Sequence, residues 1–100
     1  MHHQTLTEER WRVLPVSQRL LAVGAELKRL QHWLGRGDAA AARACVERAL
    51  ELLDLTVSAS DPGLRRRELC RAREIVRGVL TAADPRHEAR LLTRTLIGDL

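Results

Sequence analysis

No phenylalanine and no tyrosine occur in this chain, and Trp11 and Trp33 are its only large aromatic side chains. A hydrophobic core must therefore be assembled from Leu, Val, Ile and Ala, a palette that suits helices, because sheets select aromatic and β-branched residues. Lysine is nearly missing as well. Lys28 stands alone among 17 basic residues, the others being arginine. With so much Ala and Leu beside it, this bias reads as the coding habit of a GC-rich, bacterial genome rather than as selection for charge. The net charge of +4 and the pI of about 10.4 are discounted accordingly. Acidic residues also alternate with the arginines along most of the chain, as on a solvated helix surface.

Other absences narrow the function classes. The start, Met1-His2-His3-Gln4, has no basic region followed by an apolar one, and the longest apolar stretch, Leu20 to Ala25, is far too short to cross a bilayer. The expectation is a cytoplasmic protein without a membrane partner. Cys45 and Cys70 then read as free thiols in a reducing compartment. No Cys/His spacing resembles a zinc site, no glycine-rich loop cradles phosphate, and no serine stands near a His/Asp pair. No cofactor is called for.

What is present is periodic and sharply punctuated. One hundred residues fit one domain. A short first helix is predicted over Thr7 to Leu14, with Thr7 as N-cap and Leu6 stapled onto Trp11, or with Thr5 and Glu8 as a rival capping box; Pro15 ends it. A second runs from about Val16 to Leu34 and stops at Gly35-Arg36-Gly37. Asp38 caps a third, which extends to about Ser58. Asp61 with Pro62 opens a fourth that reaches about Ala82, and Asp84-Pro85 repeats the signal for a fifth ending near Gly98.

The second segment carries the strongest pattern: Val16, Leu20, Val23, Leu27, Leu30 and Leu34 alternate spacings of four and three, a seam for shallow helix packing. In the third, Ala39, Ala42, Val46, Ala49, Leu50, Leu53 and Val57 form a stripe opposite Arg43, Glu47, Glu51 and Asp54. The fourth places Leu69, Ala72, Val76, Val79, Leu80 and Ala83 on one side, and the fifth offers Ala89, Leu92, Leu96 and Ile97. Short connections make such helices antiparallel neighbours. The predicted fold is all-α, an up-and-down bundle of four main helices with the short N-terminal helix as a small lid.

Residues Gly37-Asp38 through Ala42, followed by Ala49-Leu50-Glu51-Leu52, resemble the second helix of a tetratricopeptide repeat, where small residues let paired helices approach closely. The resemblance spans half a repeat. No second copy follows one repeat length later, and Leu53-Asp54-Leu55 stands where that family places Asp-Pro. It implies hairpin packing, and not the peptide groove that several stacked repeats build.

Three sets of residues are candidates for function. Arg65, Arg66, Arg67, Arg73 and Arg77 place positive charge on the outer side of the fourth helix, partly in its first turn, where it opposes the helix dipole. An arrangement that works against stability invites an anion-binding reading; the plainer one is a solvated arginine face. Cys70 shares that face and becomes a candidate reactive thiol if its cationic neighbours favour the thiolate, whereas Cys45 reads as a small buried hydrophobe. Leu21, Ala25 and Trp33 give the second helix more apolar surface than one seam needs, the mark of a central helix or a subunit interface. His32, Asp84, His87 and Glu88 are the nearest thing to a metal or acid/base set, but nothing in the spacing brings them together. The expected function is a non-enzymatic helical module that docks another protein and self-associates as a dimer. The alternative is a small nucleic-acid or acidic-ligand binder working through the arginines.

Overall fold

The computed structural model describes residues 16–59 and 63–97, and among them the chain is entirely helical apart from turns. Helix α1 spans Val16–Arg36, α2 Ala39–Ala59, α3 Leu64–Gly78 and α4 Pro85–Ile97, with a 3₁₀ turn at Val79–Thr81. The predicted helix over Thr7 to Leu14 lies outside the described residues.

The break between α1 and α2 follows from Gly37. It adopts φ 73°, a left-handed conformation that glycine reaches without a β-carbon clash. The Asp38 amide then donates to the Trp33 carbonyl at 3.1 Å and the Gly37 amide to Leu34 at 3.2 Å, which satisfies the last carbonyls of α1. Asp38 at once starts α2, its Oδ1 accepting from the Ala41 amide at 3.0 Å. Asp84 does the same for α4, accepting from the His87 amide at 3.1 Å with Pro85 as the first helical residue.

Helix α3 departs from expectation at both ends. It begins at Leu64, preceded by Gly63 without a side-chain cap, two residues after Pro62 would have opened it; Asp61 and Pro62 lie outside the described residues. At the other end the α-helix stops at Gly78 and tightens into the 3₁₀ turn. Three residues per turn instead of 3.6 rotate the following side chains relative to the stripe. Val79 stays buried, while Leu80 and Ala83, predicted on the inner side, are exposed. Ala39 is exposed too, because it occupies the first turn of α2.

The core matches the predicted seam. Val23, Leu27 and Leu30 of α1 are buried with Ala42, Val46, Ala49 and Leu53 of α2, Leu69, Ala72 and Val76 of α3, and Ala89 and Leu92 of α4. Each fully buried Leu or Val contributes about 1.5–3 kcal/mol of transfer free energy. Helix α1 is central, packing against α2 on one side and α4 on the other, while α2 also packs against α3. Gly24 permits the α1–α4 approach: a β-carbon there would fall 2.6 Å from Ile97 Cδ1. Gly35, eleven residues later, lies against the Arg86 guanidinium, so the two helices run antiparallel. The fourth side of the bundle is nearly open, since α3 and α4 touch chiefly through the 3₁₀ turn that joins them.

Candidate functional site

The arginine helix has six arginines against two glutamates, Glu68 and Glu74. Packing divides the candidates. Arg73 reaches across to α2, where its Nε donates to Asp54 Oδ1, and it also lies 3.5 Å from Glu74 Oε1. The hydrogen bond to Asp54 holds its guanidinium still more firmly protonated. Arg77 lies 3.7 Å from the same Glu74 oxygen. Arg66 is half-buried and Arg67 exposed, and neither makes an ion pair with a described residue. Arg65 falls in the first turn. Of the proposed anion face, Arg73 and Arg77 are thus engaged by acidic neighbours in the folded chain. Cys70 is an exposed free thiol on this helix.

A polar cluster that sequence reasoning passed over sits between α1 and α2. Glu26 is only 5% exposed. Its Oε2 accepts from Arg48 Nε at 3.0 Å and its Oε1 from Arg29 Nη1 at 2.7 Å, while Arg48 Nη2 donates to Cys45 Sγ at 3.3 Å. Burial pushes the Cys45 thiol above its ordinary range, and the adjacent guanidinium offsets this only in part. The cluster fastens two helices and leaves no free base or accessible nucleophile, since Cys45 is fully buried. One signal for it was available. Glu26 lies three residues after Val23 and four before Leu30, on the inner side of the seam, where a carboxylate requires a cation.

The three interface candidates do not form one surface. Trp33 packs against the core, with its ring in an edge contact to His32 at 4.8 Å. Leu21 is 44% exposed, and Ala25 is half-buried. Leu21 and Trp33 are about 120° apart around α1 and, 12 residues apart, separated by about 18 Å along it.

The more substantial apolar surface is the open seam. Between α3 and α4, at the end of the bundle where α1 begins, lies a cavity of about 390 Å³, within the size range of ligand and peptide sites. Leu20, Leu69, Ala72, Ile75, Leu92 and Leu96 form its walls, with Glu68, Arg71 and Thr95 as polar lining. Ile75 is 37% exposed although it lines this space, so the apolar wall is not covered by the described residues. The sequence placed Leu92, Leu96 and Leu20 in the core but did not reveal that α3 and α4 would splay apart over them.

His87 lies beside Arg90, and His32 is exposed on α1. Among the described residues no group of three His, Cys, Asp or Glu side chains is arranged to hold a metal ion, and no helix is long and apolar enough to cross a membrane. No protein-family model, curated protein or solved structure matches the chain.

Proposed function

We propose that this chain is a non-enzymatic helical interaction module that docks a protein partner in the α3–α4 groove, and that one such partner is a second copy of the chain. The carrying observation is the incomplete closure of the bundle. Three helix pairs are packed, and the fourth leaves an apolar cavity of about 390 Å³ with Ile75 on its wall. An opening of that shape accepts the apolar side of an amphipathic helix, a recurring mode of peptide recognition by helical grooves. The small core that a chain of this length closes alone adds a reason to gain burial by association.

Nucleic-acid binding has less support. Arg66 and Arg67 are left for phosphate, but Arg73 and Arg77 have acidic neighbours, and the groove offers no aromatic side chain for base stacking.

Light scattering across the micromolar range tests the reading. The expected mass is that of a dimer, falling to one chain in Ile75→Asp and unchanged in Leu21→Asp. The mass of a single chain for the unsubstituted protein would remove the self-association.

A further inference from the structure

We infer that the second copy docks with its own α3 antiparallel to this one, the two-fold axis crossing between Glu68 and Arg71, so that each α3 covers the mouth of the other copy's groove. This rests on the groove being the docking site and specifies which surface of the second copy occupies it, and in which direction.

The α3 wall of the groove has two tiers. Leu69 and Ala72 are buried at its base, whereas Glu68, Arg71 and Ile75 are exposed at its rim. At 100° per residue these three fall within an arc of about 60°, in a row spaced by three and four, the spacing of a helix with another helix along it. Among the described residues no helix lies there. Helix α3 packs on α2 with its other side and meets α4 chiefly through the 3₁₀ turn, which leaves Ile75 37% exposed.

The rim carries its own electrostatic complement. Glu68 and Arg71 stand three residues apart, a spacing at which Glu74 and Arg77 of the same helix approach to 3.7 Å. Glu68 and Arg71 nevertheless pair neither with each other nor with any described residue. Arg29, Arg48, Arg73 and Arg77 all have acidic neighbours. One charge of each sign is thus left at the mouth of an apolar groove.

A two-fold axis perpendicular to α3 satisfies both at once. In such an interface, if one residue meets a second, the second meets the first. With the axis midway between them, Glu68 faces the partner's Arg71 and Arg71 faces the partner's Glu68. Parallel pairing would instead oppose each charge to its own copy, and an antiparallel register centred on Arg71 would bring the two guanidinium groups together. The favoured register overlaps residues 64–75 of each α3, about 16 Å of helix, with Ile75 at the margin of the overlap. The charges set direction and register, and the apolar groove between them supplies the burial.

Charge reversal in the full-length chain tests this. Glu68→Arg and Arg71→Glu each turn two attractive pairs into two repulsive ones. Each should raise the dimer dissociation constant roughly tenfold in sedimentation equilibrium at low salt. Glu68→Arg/Arg71→Glu restores complementarity about the same axis and should bind about as tightly as the unsubstituted chain. An equimolar mixture of the two single variants should favour heterodimer over either homodimer. Both positions are exposed, so helical circular dichroism and urea midpoints should be unchanged. Single variants that dimerise as tightly as the unsubstituted chain, while Ile75→Asp remains one chain, would overturn the α3 pairing and leave the groove as the docking site. A double variant no tighter than the single ones would count equally against it. An unsubstituted chain that stays single at every concentration would remove this arrangement together with self-association, leaving the groove to a different protein.

Discussion

The Glu26 carboxylate of α1, 5% exposed, is held by the Arg48 guanidinium of α2 at 3.0 Å across the most extensive helix contact in the bundle. Arg29 Nη1 supports the same carboxylate from the solvent side at 2.7 Å. A buried charge of this kind adds little over a well-packed apolar pair, yet breaking it is expensive, because one ion is left without its partner.

Arg48→Met should accordingly destabilise the fold by about 1.5–3 kcal/mol, the range for a hydrogen bond to a charged group, with Arg29 limiting the loss. Replacing Glu26 with Met in the same chain should recover most of it. Urea unfolding of both variants checks the pair. A change within about 0.5 kcal/mol for Arg48→Met, the size of a neutral surface substitution, would show that the contact is incidental.

The two thiols should separate by accessibility. Cys70 is exposed and Cys45 buried, so a thiol reagent should modify one equivalent rapidly in the native chain and the second only on unfolding. Burial raises the Cys45 thiol, meaning that the folded chain holds this proton more tightly than the unfolded one. Its contribution to stability is complete below the ordinary thiol value of about 8.5 and fades as the pH climbs from there toward the raised value. Denaturation midpoints should fall more steeply with pH in the unsubstituted chain than in Cys45→Ala. Equal slopes would contradict the assignment.

For the arginine helix the expectation is weak retention of any polyanion at physiological salt, nearly unchanged in Arg66→Ala/Arg67→Ala. A phosphate-binding face would instead lose affinity log-linearly with salt, and the double substitution would flatten that slope by nearly one unit per arginine. Submicromolar binding of RNA or DNA that disappears in the variant would make nucleic-acid recognition the better account.

Most of the helical plan was legible because it rests on local rules. Asp38, Asp84 and Pro85 mark helix starts through hydrogen bonds spanning three residues, Gly37 marks a stop through its left-handed backbone, and spacings of three and four along Val23, Leu27 and Leu30 put one face inward. The end of α3 was harder. The stripe through Val76, Val79 and Leu80 continues in sequence, and only the 3₁₀ tightening after Gly78 turns Leu80 outward.

Amino-acid order by itself thus determined an all-helical fold among the described residues, most of the apolar stripes that form its core and, to within two residues, the ends of α1, α2 and α4, since each depends on neighbours within about four positions. Tertiary structure decided what depends on partners far apart along the chain. It brought Arg48 to Glu26, 22 residues away, and Asp54 to Arg73, 19 residues away, turning apparently solvated charges into helix-to-helix contacts. It also packed α1 closely on α4 at Gly24 while leaving α3 and α4 apart, and so opened the groove over Leu96 and Ile75. Periodicity specifies which side of a helix is apolar; which neighbour covers that side, and whether any does, depends on how all four helices share one core.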